Sequence, residues 1–486
     1  MNYNPVSPDM VSELKQRIGE RAVYTDPDKL VAFASDESKL TYRPELVVEP
    51  TSTEQVCETM RWASRHRIPV TPRAAASNVT GGALALHGGI ILSVMKMNRI
   101  LEIDQRNLIA VVEPGIITYD LQCAVEEKGL YYPPDPSSFD TSTIGGNVAE
   151  GAGGPHCLKY GTTKDYVMGL TVVLPNGDLL NTGGRTRKGV VGYDLTYLFV
   201  GSEGTLGVIT EITLKLVPLP KSVMTMLVPF ETLESAASVV TGVLARGIVP
   251  AALELSKGNV LLPQGTQVAG KAQAVLLIEL DGHPSALEME RDEISDICLE
   301  EKALDVLLVE GKAKRKAVWD IRRGGWTKLV DTNAVLETLD PVVPRDRMAE
   351  YVRKVEEIEA RHNVPIFCGG HAGDGNVHTN IASKVDTPEI RERMKHAAED
   401  IMALALSMGG TLAGEHGIGC VKIDHLVKEL SPVSVYFQKG IKRLLDPAHI
   451  MNPGKVLPGE GGESCSPFIV GGLRTQGNGG DPGRVE

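Results

Sequence analysis

The 486-residue sequence has no C-x-x-C pair among its seven cysteines, no cluster of Lys and Arg, and no long apolar run. Each absence removes a class of protein. Scattered cysteines predict neither a disulfide framework, an iron–sulfur cluster nor a structural zinc site, so any electrons must travel on another carrier. Fifty basic against 62 acidic residues leave a net charge of −12 with no basic block, which excludes the usual footprint of a nucleic-acid binder. No stretch approaches the roughly 18 apolar residues of a membrane span, and Met1–Arg21 lacks the apolar centre of a secretory signal. The sequence therefore predicts a cytoplasmic protein with no membrane span, peripheral at a membrane only through a partner. Neither G-x-G-x-x-G after a strand nor G-x-x-x-x-G-K-[ST] occurs, so a Rossmann dehydrogenase or a P-loop nucleotidase is not expected.

What the sequence does have is glycine, 51 residues in 486, above the roughly 7% of average proteins. There is no G-X-Y period to make it collagen-like. Fifteen glycines fall within the 63 residues Gly145–Gly207, in Thr143-Ile-Gly-Gly-Asn-Val, Gly151-Ala-Gly-Gly-Pro, Lys159-Tyr-Gly-Thr-Thr and Val200-Gly-Ser-Glu-Gly-Thr-Leu-Gly-Val. One such segment reads as a tight turn. Four together read as backbone brought against a ligand, where amides freed of side chains can meet phosphate oxygens.

The length suits several domains at roughly 100–200 residues each. Ser52-x-x-Gln55 is a capping-box pattern before a helix through Val56, Met60 and Ala63. A second helix is expected from about Thr118 to Lys128, stopping at Gly129, and Asn176-Gly177 marks a hairpin between Leu170–Leu174 and Leu179–Leu180. After Pro218 and Pro220, apolar runs and helical stretches follow in the order β-α-β-β-α-β up to Val309, the split βαβ pattern. The expected division is an N-terminal helical segment (1–42), a first domain (43–220), a second (221–425), a returning C-terminal segment (426–458) and a flexible tail (459–486) in which only Phe468-Ile469-Val470 is apolar enough to dock.

Three of the 11 histidines lie in two glycine-rich segments, Gly370-His-Ala-Gly-Asp-Gly-Asn-Val-His378 and Gly414-Glu-His-Gly-Ile-Gly419. A loop can turn His371 and His378 toward one point, with Glu415 supplying a carboxylate. Two His and one carboxylate suit Zn²⁺, Mn²⁺ or Fe²⁺. In an extended segment, however, Glu415 and His416 would point to opposite faces.

Taken in order, Pro72-Arg-Ala-Ala-Ala-Ser-Asn-Val-Thr-Gly-Gly82, Pro133-Pro-Asp-Pro-Ser-Ser138, Thr143-Ile-Gly-Gly-Asn147, Gly192-Tyr-Asp-Leu195 and Gly201-Ser-Glu-Gly-Thr-Leu-Gly-Val-Ile209 resemble the vanillyl-alcohol oxidase/p-cresol methylhydroxylase superfamily. Within it they are similar to the FAD-linked D-2-hydroxyacid dehydrogenases, the branch of D-lactate dehydrogenases and the glycolate oxidase flavin subunit. The resemblance runs from about Arg43 to Leu457. It implies an α+β protein with a two-part FAD-binding domain and a ferredoxin-like α+β substrate, or cap, domain. It also implies a cofactor-binding set: Pro72, Arg73, Ala74, Ala75, Ala76, Ser77, Asn78 and Gly81 around the pyrophosphate loop; Pro136, Ser137, Thr143, Gly145, Gly146 and Asn147; then Gly151, Gly153, Gly154, Gly204, Val208, Ile209 and Asn452. The family loop usually reads P-R-G-x-G-T, and here Ala74 and Ala76 replace glycine and Ser77 replaces threonine. A Cβ restricts φ, so these positions are expected to keep negative φ or the loop to shift, with FAD affinity the property affected. No histidine lies in the loop, and non-covalent FAD is expected.

The motifs H-A-G-D-G-N-x-H and G-E-H-G are intact. The resemblance assigns His371, His378 and Glu415 to a divalent metal (Zn, Mn or Fe), His416 to the general base and Asn376 to substrate placement, with the substrate's Cα hydride passing to flavin N5. Trp319-Asp-Ile-Arg322 matches the family's W-x-x-R and puts Arg322 on the substrate carboxylate, a role suited to the guanidinium fork. Members that take 2-hydroxyglutarate carry lysine where Thr338 stands, which favours a small monoacid such as D-lactate or glycolate. Ala252-Leu-Glu-Leu-Ser-Lys257 departs from the family's A-L-E-F-M-D. The implied activity is oxidation of a small D-2-hydroxy acid to the 2-oxo acid, with electrons passed to an electron-transferring flavoprotein, an iron–sulfur subunit, a cytochrome or a quinone. The alternatives are a non-catalytic flavin relay subunit and an oxidase using O₂.

Overall fold

A computed structural model describes residues 3–459 and 465–472. The N-terminal half holds two larger sheets and a two-stranded pairing of Leu130–Tyr131 with Val217–Pro218. In the first, Val23–Tyr24, Leu46–Val48, Ile90–Ser93 and Val70–Arg73 lie side by side. The inner pairs are parallel, so both faces are covered and the strands read as near-continuous apolar runs. The second is an antiparallel sheet of Ile100–Asp104, Ile109–Val112, Val208–Lys215, Val167–Val173 and Leu179–Gly183, in that order. The helix Thr53–His66 is capped by Ser52, whose hydroxyl accepts from Gln55 N–H, and ends at Arg67 in the left-handed region. The expected helix at Thr118 runs to Glu126, followed by Gly129 at φ +72°. The Asn176-Gly177 hairpin exists, with a wider turn than two residues: Leu174 and Asp178 close it, Pro175 starts it and Gly177 takes φ +82°.

The remainder is organised by one eight-stranded sheet in which every neighbouring pair is antiparallel. Its order is Leu307–Leu308, Ser222–Phe230, Ala274–Gly282, Ala252–Lys257, Ile366–His371, Asn376–Ser383, Val335–Leu339 and Phe468–Val470. The first four strands, with helices Leu233–Ala245 and Pro284–Glu300, are the β-α-β-β-α-β unit read from the sequence. The sheet then continues where sequence reading had stopped. Helices Met348–His362 and Pro388–Ser407 join the earlier two on one face and bury the largest apolar cluster, which includes Leu253, Leu255, Ile366, Cys368, Val377 and Ile381.

Strand alternation then fixes the other face. Residues one step out of phase with that core, Glu254, Phe367, His371, His378, Asn380 and Thr338, point away from the four helices. Two shorter helices, Lys312–Arg323 and Gly325–Thr332, lie on that side.

The chain end returns to its beginning. Val70 N–H donates to Ile450 O at 2.7 Å and Asn452 N–H to Val70 O at 2.8 Å. Phe468–Val470 does dock, as an edge strand against Val335–Leu339. The rest of the expected tail, 460–464 and 473–486, lies outside the described residues. No disulfide framework was expected, and the structure holds a single crosslink among the described residues: Cys420 and Cys465, 45 positions apart, are bonded with Cα atoms 5.3 Å apart. Pairing depends on how closely the folded backbone approaches, and spacing along the chain carries no sign of that.

Candidate active site

A cavity of 2080 Å³ runs between the glycine-rich loops of the N-terminal half and the free face of the eight-stranded sheet. That is about twice the upper end of ordinary ligand pockets, room for a dinucleotide and a small acid together. Of the sequence-predicted cofactor residues, Pro72, Arg73, Ala74, Ala75, Ala76, Ser77, Asn78, Pro136, Ser137 and Thr143 line it, as do Gly145, Gly146, Asn147, Gly153, Gly204, Val208 and Ile209.

Four predicted positions do not line it, each for a visible reason. A Cβ on Gly81 would meet Cys420 Sγ at 2.6 Å, so that glycine serves the approach of the Cys420 loop. Gly151 packs on Gly201, and a Cβ on Gly154 would strike the Asp135 carbonyl at 2.7 Å. Asn452 is buried behind the loop, donating to Gly82 O and Glu203 O at 3.0 and 2.7 Å. Arg73 lines the cavity, yet its guanidinium is spent on the carbonyls of Ser35, Ala83 and Phe33. The expectation of negative φ in the loop is half corrected. Ala76 sits at φ +58°, and Ala74 is not among the positive-φ residues. At Ala76 an alanine holds a left-handed backbone, which is strained for an L-residue.

At the far end of the cavity the histidine motifs meet. His371 Nε2 lies 3.0 Å from Glu415 Oε1, and His378 Nε2 lies 3.3 Å from the same oxygen and 3.4 Å from His371 Nε2. Each imidazole is anchored at its other nitrogen, His371 Nδ1 to Glu254 Oε1 at 2.7 Å and His378 Nδ1 to Asp340 Oδ1 at 3.1 Å. With each Nδ1 occupied by a carboxylate, both Nε2 atoms face one point beside the Glu415 oxygen. Histidines that ligate metals are oriented in this way. The atoms gathered here, two imidazole nitrogens and a carboxylate oxygen, are donors that a divalent cation takes. The donor set fits such an ion. His371, Glu254 and the Asp340 carboxyl are buried, and Glu415 is partly exposed to the cavity. The neighbouring imidazoles hold the three carboxyls below the usual carboxylate range against the opposing pull of burial.

Glu415 and His416 both reach the cavity because their backbone is not extended. Asp340 Oδ2 accepts the N–H groups of Gly414, Glu415 and His416 at 3.0, 2.8 and 2.9 Å, curling the chain around one buried carboxylate. His416 stacks on His378, and burial with the neighbouring His378 and Lys422 brings it down to about 4 against the pull of Asp340. It is a neutral imidazole at pH 7.

Asn376 is not where sequence reading put it. It is buried behind the site, donating to Asp340 Oδ1 at 2.8 Å and Pro341 O at 3.1 Å, and does not line the cavity. Four residues on, Asn380 does, and its Oδ1 lacks a hydrogen-bond partner, as does Thr338 Oγ1 across the strand pair. Arg322 lines the cavity, its Nη2 in an ion pair 2.6 Å from Glu254 Oε2, with neither Nη2 nor Nε in a hydrogen bond. Asp340, Glu254 and Asn380 were missed as site residues. The alternation of strands containing buried carboxylates was the available signal.

The fold and this cavity define a flavin-dependent oxidoreductase class. Residues 44–183 match the family described as FAD binding domain, and residues 219–456 match FAD linked oxidases, C-terminal domain. The glycolate oxidase subunit GlcD of Bacillus subtilis is 42% identical over 418 residues, 85% of this chain and 89% of that protein. The D-lactate dehydrogenase of Anaerostipes hadrus is 37% identical over 93% of this chain and 98% of its own. Among solved structures, p-cresol methylhydroxylase superposes with a TM-score of 0.77 at 17% identity, covering 94% of this chain and 96% of its own. The chain belongs to the FAD-linked oxidases, with the vanillyl-alcohol oxidase/p-cresol methylhydroxylase fold. Among the described residues, no helix is long and apolar enough to cross a membrane.

Proposed function

We propose that the protein oxidises a small D-2-hydroxy acid, D-lactate or glycolate, to the 2-oxo acid and hands the electrons to a partner protein or quinone. The observation that carries this reading is the convergence of His416, the His371/His378/Glu415 set and Arg322 on one end of the cavity that the FAD loops line. Non-covalent FAD would supply the hydride acceptor, and a divalent cation held by His371, His378 and Glu415 would supply Lewis acidity toward the substrate oxygens.

The chain's own residues do the rest. Arg322 offers Nε to the substrate carboxylate while Nη2 stays on Glu254. His416, neutral and stacked against His378, accepts the hydroxyl proton, with Nδ1 turned to Asp340 and Nε2 left to take it. Thr338 and Asn380 bound the space beyond Cα without a fixed charge, which suits a monoacid better than a dicarboxylate. Relatives named glycolate oxidase subunit and D-lactate dehydrogenase support the same substrate class.

Anaerobic mixing with D-lactate, L-lactate, glycolate and D-2-hydroxyglutarate tests the proposal. Bleaching of the flavin by D-lactate or glycolate is expected. No bleaching by any of the four would leave an electron-relay subunit as the better reading.

A further inference from the structure

Glu254 is fully buried on a strand whose neighbours Leu253 and Leu255 face the apolar core, and its carboxylate is shared. Oε1 lies 2.7 Å from His371 Nδ1, and Oε2 lies 2.6 Å from Arg322 Nη2. A carboxylate at this depth is costly unless both oxygens are satisfied. Here Oε1 is hydrogen-bonded to His371 while Oε2 meets Arg322 only as an ion pair, without an aligned hydrogen bond, and the two contacts go to groups with different tasks in the proposed reaction. We propose that Glu254 is a positioning residue that serves both ends of the substrate: through His371 it fixes the imidazole face offered to the cation, and through Arg322 it fixes the guanidinium that receives the substrate carboxylate. This inference rests on the hydroxyacid reading above.

The geometry gives the two roles different chemical requirements. His371 Nδ1–H needs only an acceptor, and an amide oxygen supplies one. Arg322 needs an anion beside Nη2, since a guanidinium released from its partner in a buried site loses the orientation that leaves Nε toward the cavity. Sequence supplies the same separation. Glu254 comes from the second strand of the β-α-β-β-α-β unit, His371 from a later strand paired with it through Leu255 and Gly370, and Arg322 from the helix Lys312–Arg323 on the open face. One side chain thus ties three elements that no local pattern connects.

Glu254→Gln, Glu254→Ala and Glu254→Asp should be compared for flavin content, metal content of the purified protein, and KM and kcat with D-lactate and glycolate. The glutamine variant is expected to keep flavin and metal while KM rises about tenfold or more and kcat changes little. The alanine variant should lose metal as well. The aspartate variant, which restores the charge on a shorter arm, should recover part of the KM. A glutamine variant that loses metal or flavin together with substrate affinity, or an aspartate variant no better than glutamine, overturns the proposal in favour of a structural role. Unaltered KM in glutamine and alanine variants also overturns it. If wild-type flavin is reduced by neither acid, the hydroxyacid reading itself fails, and metal content in the three variants still decides the role of Glu254 toward His371.

Discussion

His378 and His416 stack with ring planes 3° apart and centroids 5.0 Å apart, and Asp340 stands behind both. Its Oδ1 is 3.1 Å from His378 Nδ1 and its Oδ2 is 3.8 Å from His416 Nδ1. One buried carboxylate therefore sets the position of a proposed metal ligand and of the proposed base, and of the backbone between Gly414 and His416 as well.

Asp340→Asn should consequently lower metal affinity and kcat/KM together, each by about 10–100-fold, the usual cost of losing a carboxylate behind a ligating histidine. Flavin content should stay normal, because Asp340 does not line the cavity. Metal titration and steady-state kinetics on the same preparation check this, and a variant with full metal affinity would detach Asp340 from the metal set.

The loop carrying Ala76 at φ +58° holds an alanine in a region that costs an L-residue roughly 1 kcal/mol or more. Ala76→Gly relieves that strain, less the added freedom of glycine in the unfolded chain. Thermal unfolding should show a gain of up to about 1 kcal/mol, with FAD bound at least as tightly. A destabilised variant would mean that the alanine methyl contributes packing that outweighs its backbone strain.

His156 is held between Asp135, 2.8 Å from Nδ1, and Glu279, 3.3 Å from Nε2. Burial alone would lower its pKa, and the two carboxylates overcome this to raise it to about 10. A raised folded value means that the stabilisation is complete below the unfolded value of about 6.5 and is lost as pH climbs toward 10. The difference in Tm between wild type and His156→Gln should therefore be largest near pH 6 and shrink steadily above pH 7. A difference that does not vary with pH would show that His156 is neutral in the folded protein.

Thiol titration of the unreduced, denatured chain should count five cysteines, Cys57, Cys123, Cys157, Cys298 and Cys368, and seven after reduction. Cys465→Ser should lower stability by about 2–4 kcal/mol, the common range for removing such a crosslink. Seven thiols before reduction would place Cys420 and Cys465 in the dithiol form.

Much of the fold could be read in advance because its signals are local. The β-α-β-β-α-β order, the Ser52 cap and the glycines before Gly207 each need only neighbours along the chain. The second half of the eight-stranded sheet was not legible, since Ile366–His371 and Val335–Leu339 look like loop-bounded apolar runs until they pair. At the site, the motif residues His371, His378, Glu415 and His416 could be named, and what positions them could not. Glu254 sits between two core leucines and Asp340 just beyond the end of Val335–Leu339, and their importance comes from contacts 117 and 76 positions away. Asn376 and Asn380 show the same limit: they occupy the same motif strand, and only the three-dimensional position of Asp340 decides which one faces the cavity.

The return of the chain end to the first sheet bears on how the protein is made. Asn452 completes the hydrogen bonding of Gly82 O from 370 positions further along, and Lys455 donates to the same carbonyl. During synthesis the glycine-rich loop leaves the ribosome long before these partners exist, although domains otherwise tend to fold in order of emergence. The nascent N-terminal half must wait for nearly the whole chain before its ligand loop is finished.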